Sequence, residues 1–269
     1  MKDTIGMIVA ALLLVALGFG AYWWWNGDSN SAALNPGESS IATPAPDVVD
    51  GPHGPASTEV TFTATDGYTL SATYSVPEVG SPIRMPVLVL VHQLGTSRHD
   101  FDLLVPRLLE EGYAVLAYDS RGAGKSVGGV ADKKDSMKDF AGALSFLSTQ
   151  KEVDASQVGV IGASIGGNVA YVASGSSASV KVAVALSPVS TGAPKELLGT
   201  TITVFKPHTV FVATDDKDKA EGDLIFKKVQ DPKQRKVYPG LGHGVALLSS
   251  DAVVQDVLSF VAQFLDIKG

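Results

Sequence analysis

The chain contains no cysteine among its 269 residues. That absence removes disulfides, thiol nucleophiles, thiolate zinc sites and lipid modification at an N-terminal cysteine. It leaves the redox compartment open, because a protein of this size can be exported without disulfides. Basic residues are also short, with 21 Lys and Arg against 28 Asp and Glu and a net charge of −7. With no basic stripe to displace counterions from phosphates, nucleic acid is excluded as a partner. Internal repeats are missing as well, and 269 residues allow one large α/β domain or two small ones.

Uncharged apolar stretches of membrane-spanning length are scarce, with one exception. Residues 5–25 carry no charge and are rich in Leu, Val and Ala, about the 20 residues that a helix needs to cross the hydrocarbon core. Lys2 precedes this run and no Lys or Arg follows until Arg84, so the positive-inside bias expects the N-terminus in the cytoplasm and the rest outside. Tyr22, Trp23, Trp24 and Trp25 would then lie at the outer interface. The alternative is a signal peptide cleaved around residues 16–20, which would release a secreted protein; the length of the run and its bulky aromatic end favour a retained anchor. Residues 26–57 are rich in Gly, Pro, Ser, Asn and Asp with no apolar period and read as a linker that carries His53 in solvent. The globular domain is expected over residues 58–269.

Residues 59–65 and 68–76 alternate apolar and polar positions around Asp66-Gly67, the pattern of an antiparallel hairpin. Residues 87–91, Val-Leu-Val-Leu-Val, are uniformly apolar and suit a strand covered on both faces. Helices are expected over 100–111, 136–149, 164–174, 219–229 and 251–265, and further strands over 114–118, 158–161, 180–186, 209–213 and 235–238. A hairpin followed by repeated strand–helix units implies an α/β fold: a mostly parallel sheet with an antiparallel N-terminal start and helices on both faces. Ligands of such sheets bind beyond the strand C-termini.

The chemistry-bearing residues fall at those strand ends. Gly162-Ala-Ser164-Ile-Gly166 joins an apolar β-branched run to a small-residue helix, a turn that pushes a serine hydroxyl out beside the positive end of the helix. Taken alone, the same residues also fit a Gly/Ser-rich loop without chemistry. Three more loops carry His92-Gln-Leu-Gly95, Thr214-Asp-Asp-Lys-Asp218 and Pro239-Gly-Leu-Gly-His243-Gly244. Serine, acid and histidine thus follow one another in the order expected of a serine hydrolase on this sheet. His92, directly after a buried strand, suits a bracing role better than proton transfer, and His99 and His208 are expected outside the chemistry.

Two look-alikes are set aside. Gly124-Lys-Ser126 would need a glycine at position 119 to form a phosphate-binding loop, and that residue is Asp119. Asp119 and Arg121 are instead expected in a turn-bracing ion pair. The acidic run 215–223 has Ala220 and Glu221 where a calcium loop wants a ligand and glycine.

Together, His92-x-x-Gly95, Asp119 to Ser126, the Gly162–Gly166 turn, the acidic loop and Pro239 to Gly244 resemble the α/β-hydrolase superfamily, in particular its small lidless dienelactone-hydrolase-like and esterase members. The resemblance covers roughly residues 58–267. Gln93, where many members have glycine, and Thr214, where many have a small residue, depart from the pattern. The resemblance implies Ser164 as nucleophile, His243 as base, and one of Asp215, Asp216 and Asp218 as the acid that orients it, with Asp216 favoured. It implies backbone N–H groups of Leu94 and Ile165 as oxyanion donors, and no metal or organic cofactor. The expected activity is that of a membrane-anchored, extracytoplasmic serine hydrolase acting on small or exposed esters, since residues 187–206 are too few for a cap. The alternatives are a peptidase or acyltransferase acting on envelope components, and an anchored binding module without turnover.

Overall fold

A computed structural model describes residues 56–78, 84–126, 135–189, 207–213, 215–228, 231–265 and 267. The expected anchor and nearly all of the linker, His53 included, lie outside these residues, as do Thr214 and most of the segment expected to be too short for a cap. Among the described residues no helix is long and apolar enough to cross a membrane.

The chain opens with the hairpin β1 (Ala56–Thr63) and β2 (Thr69–Val76), paired antiparallel. Its turn carries Gly67 at φ +89°, the backbone region where glycine alone is unstrained. Six further strands follow: β3 (Met85–Val91), β4 (Ala114–Tyr118), β5 (Val153–Ala163), β6 (Val180–Leu186), β7 (His208–Ala213) and β8 (Lys233–Tyr238). They form one eight-stranded sheet in the order β1-β2-β4-β3-β5-β6-β7-β8. Pairing is antiparallel at β1–β2 and β2–β4 and parallel from β4 to β8. The intervening helices are α1 (Val105–Glu110), α2 (Ser136–Leu147), α3 (Ile165–Ser176), α4 (Lys219–Lys228) and α5 (Asp251–Ala262).

Alternation along the central strands divides the core into two layers. Leu88 and Leu90 of β3 face one side with Phe101, Leu104, Leu108 and the apolar face of α5. Val87, Val89 and Val91 face the other side with Phe140 and Ala143 of α2 and Val169 and Ala173 of α3. Each of these five β3 side chains is at most 2% exposed, so removing a strand methyl on either face opens a cavity costing about 1 kcal/mol or more.

Several boundaries differ from the sequence expectation: β1 spans Ala56–Thr63 rather than 59–65, β8 starts at Lys233 rather than 235, and three further shifts lie in the helices and β5. The single helix over 100–111 is a 3-10 turn, Arg98–Phe101, followed by the short α1. Pro106 has no N–H for the preceding turn, so the chain restarts its helix with proline in the first turn. Strand β5 begins at Val153 rather than 158, with register shifts against β3 between Met85 and Val87 and against β6 between Val158 and Gly159. Pro86, which cannot donate to the ladder, sits within the first shift. The last helix stops at Ala262 rather than 265, although Leu265 still packs into the core.

Because β3 to β8 run parallel, the loops after β3, β5, β6, β7 and β8 all leave the same sheet edge. His92, Ser164, Ser187, Asp216 and His243 are carried there together.

Candidate active site

Ser164 stands between β5 and α3 with φ +52° and ψ −114°, a conformation costing about 1–3 kcal/mol for a residue with a side chain. The turn is held by backbone crossing at two glycines. A Cβ at Gly162 would stand 2.0 Å from the carbonyl oxygen of Gly166, and a Cβ at Gly166 would stand 2.0 Å from that of Val91. Ser164 N–H donates to Leu186 O at 2.8 Å, which fastens the turn to β6. The elbow is therefore over-determined by its neighbours, as a strained residue requires.

The loop after β8 brings His243 toward the same place. Gly244 has φ +62°, and a Cβ built on it would lie 3.7 Å from Cβ of Ala163, the residue before Ser164. His243 Nδ1 lies 3.0 and 3.1 Å from the two carboxylate oxygens of Asp216. An ionised carboxylate only accepts, so Nδ1 carries a proton, and in the neutral ring the lone pair is on Nε2. The three aspartates divide their tasks. Asp216, with its side chain fully buried, meets the ring, while Asp218 Oδ2 stands 3.6 Å from Nδ1 and is a quarter exposed. Asp215 accepts the Gly242 N–H at 3.1 Å and so ties down the loop backbone. Asp216, Asp218 and His243 also form the one cluster among the described residues whose donor spacing suits a metal ion; the direct ring–carboxylate bond already occupies that space.

Burial pushes the Asp216 carboxyl up, but Ser187, His243 and the Asp218 N–H, which donates at 2.9 Å, outweigh it and leave the group below its ordinary pKa. Ser187 was not foreseen from the sequence. It follows β6 at φ +47°, donates its N–H to Phe211 O at 2.7 Å, and buries a hydroxyl beside the Asp216 carboxylate outside normal hydrogen-bond geometry. A serine directly after an apolar strand, one strand from the elbow, was the available signal.

On the other side stands the loop after β3. His92 is 5% exposed; its Nδ1 is 2.7 Å from Gln93 O, and its Nε2 accepts the Ser120 N–H at 3.0 Å. Both ring nitrogens are committed to backbone, so His92 is a brace. Gln93 O also accepts from the Thr96 hydroxyl at 2.9 Å. In a trans peptide the N–H points opposite to the C=O, so anchoring Gln93 O inward turns the Leu94 N–H outward. Ile165, at the first position of α3, has an N–H without an intrahelical partner. A cavity of about 330 Å³ borders Leu94 and Ile165 and extends between His92, Ala123 and Val169, beside Ser164 and His243 rather than around them.

The turn after β4 has a different role from either sequence reading. Asp119 and Arg121 do brace it, but not as a pair. Asp119 binds the Arg98 guanidinium at 3.0 Å and the Lys125 N–H at 2.8 Å, filling the turn where a phosphate would sit. Arg121 instead binds Asp139 at 2.5 Å and Asp66 at 2.9 Å, linking the β1–β2 turn to α2. His99 is exposed and pairs with Asp102.

Comparison with known proteins agrees with this fold. Residues 84–206 match the family described as serine aminopeptidase, S33, a segment that includes Ser164 but ends before the acidic and histidine loops. The quorum-quenching protein AidA of Acinetobacter baumannii is 32% identical over 89 residues, 32% of this chain and 29% of that protein, so the match spans under a third of the relative's length. The Pyrococcus furiosus esterase Pf2001 superposes with a TM-score of 0.67 at 20% identity, covering 78% of this chain and 94% of the esterase. A dienelactone hydrolase from Anabaena variabilis superposes with a TM-score of 0.62 at 19% identity, covering 80% and 100%. In strand order and in these superpositions, the chain has the fold of the α/β hydrolases.

Proposed function

We propose that this protein is a serine hydrolase, a carboxylesterase that works through an acyl-enzyme. The observation that carries the reading is the bond from Asp216 to His243 Nδ1, on a loop packed beside the Ser164 elbow. It leaves Nε2 as the ring atom able to take a proton. In the proposed sequence, Ser164 Oγ attacks the ester carbonyl carbon as its proton passes to Nε2. The carbonyl becomes an oxyanion held by the Leu94 and Ile165 N–H groups, each such donor being worth about 3–4 kcal/mol in the transition state. Collapse of the tetrahedral intermediate breaks the bond to the alcohol oxygen, which leaves with the proton from Nε2. Water then attacks the acyl-serine, gives its proton to Nε2, and releases the acid with Ser164 Oγ reprotonated. No metal or organic cofactor enters these steps.

The membrane-spanning reading of residues 5–25 supports an extracytoplasmic enzyme tethered by its linker, or a secreted one if the segment is cleaved. Fractionation of cells carrying the full chain, with external protease added to intact cells, tests this: the anchored reading expects the hydrolase domain in the membrane fraction and cleavable from outside.

Turnover of p-nitrophenyl acetate and butyrate by the full chain, beside Ser164→Ala, tests the chemistry. Hydrolysis at least about 10³-fold above the variant is expected; equal rates would overturn the proposal. The serine aminopeptidase likeness favours a second reading, amide cleavage by the same residues. Matched amide and ester substrates separate the two, and a higher kcat/KM on the amides would select the peptidase.

A further inference from the structure

Gln93 is the residue at which this chain departs from the glycine found in many of its relatives, and its side chain makes a contact that a glycine cannot. Its Oε1 accepts the Val245 N–H at 3.3 Å, across 152 residues of sequence. The same oxygen lies over the open face of Gly244, where a Cβ would come within 2.2 Å of it. The backbone of Gln93 is itself fixed, with its carbonyl held by His92 and Thr96 and its N–H directed at Asp100 Oδ2 at 3.4 Å. One residue therefore links the peptide that aims the Leu94 N–H to the two residues that follow His243.

We propose that Gln93 is a positioning residue that sets the distance between the oxyanion-donor loop and the His243 loop; the role rests on the serine-hydrolase reading above. The amide orientation follows from its partner, since only the oxygen end can accept an N–H. The contact reaches both halves of the reaction: the donors that meet the developing charge, and the imidazole that moves the proton. Misplacement of such groups by about 1 Å is worth up to about 100-fold in rate, while ground-state binding of a small ester depends little on it. The absence of a side chain at position 244 is the complementary half of the arrangement, because the space that a Cβ would fill is the space that the Gln93 amide occupies.

The test uses the full chain and Gln93→Met, which keeps the bulk and loses the acceptor, with Gln93→Glu retaining an acceptor oxygen at the same reach. Three readouts are compared: kcat and KM for p-nitrophenyl acetate, amide hydrogen exchange at Val245, and the thermal midpoint. In Gln93→Met, Val245 is expected to exchange about fivefold faster or more, as loss of one hydrogen bond implies. Its kcat is expected to fall about tenfold with KM within about twofold and the midpoint within a few degrees, and Gln93→Glu is expected to restore protection at Val245. Unchanged exchange in Gln93→Met overturns the proposal, and so does faster exchange with an unaltered kcat, since the contact would then be only a brace. If wild-type Ser164 does not take up a fluorophosphonate, the hydrolase reading falls and the positioning role with it. A labelled wild type beside an indifferent Gln93→Met overturns the positioning role alone.

Discussion

At the scale of single residues, the candidate site holds backbone strain. Ser164 and Ser187 both have positive φ while carrying a Cβ. Ser164→Gly should release the conformational cost at the elbow, offset in part by the extra freedom of glycine in the unfolded chain. We expect a net gain of about 1 kcal/mol, seen as a thermal midpoint raised by about 2–4 °C, whereas Ser164→Ala keeps the Cβ and gains nothing. The three aspartates should separate sharply. Asp216→Asn leaves a neutral amide at the buried bond to Nδ1 and is expected to lower kcat about 10³- to 10⁴-fold. Asp218→Asn, acting from 3.6 Å and partly in solvent, should cost less than about tenfold, and steady-state kinetics at one pH decides between them. Ser187→Ala removes one of the three influences that hold the Asp216 carboxyl low. Asp216 is expected to titrate at higher pH in that variant, readable from carboxyl carbon shifts across an acid titration.

At the scale of elements, the elbow is a joint between β5, α3 and β3 in which backbone meets backbone. Gly162→Ala and Gly166→Ala each place a methyl 2.0 Å from a backbone carbonyl oxygen, that of Gly166 in the first turn of α3 and that of Val91 at the end of β3. Both should lose more than about 4 kcal/mol or fail to fold. Gly167→Ala meets its nearest neighbour at 3.3 Å and should cost far less, a contrast that chemical denaturation measures. Most of this architecture was legible in the sequence, because its signals are local. The Asp66-Gly67 turn, the doubly covered β3 and the glycine spacing around Ser164 each follow from period and backbone freedom. Helix 100–111 was misjudged because apolar spacing does not register that Pro106 lacks an N–H. The start of β5 was missed because residues 153–157 alternate too weakly to declare a strand until β3 and β6 supply the partners. The contacts of Gln93 and Ser187 were illegible for another reason: they span 152 and 29 residues, so the local pattern around each residue does not name its partner.

At the scale of the whole molecule, the carboxylates govern behaviour in acid. Hydrogen bonds and cations hold Glu59 at about 2, and hold Asp66, Asp154, Asp216 and Asp256 below their ordinary values. For each of these groups the native state binds fewer protons than the unfolded chain, so its stabilisation is present above the unfolded value near pH 4 and is lost as pH falls through the lowered one. Asp139, raised chiefly by burial against the pull of Arg121, works in the opposite sense, but it is outnumbered. Circular dichroism should therefore show a cooperative loss of helix below about pH 4. Added salt should weaken the contribution of the more exposed pairs, such as Lys125 with Glu59. The sheet also brings five strand ends to one edge, which carries Ser164, Asp216 and His243 from distant parts of the chain to the same side of a rigid frame. Peptide mapping by mass spectrometry after treating the full chain with a fluorophosphonate tests that convergence most directly. The account predicts a single adduct, on Ser164, formed at least about 100-fold more slowly when His243 is replaced by alanine; an unlabelled Ser164, or labelling indifferent to His243, would contradict it.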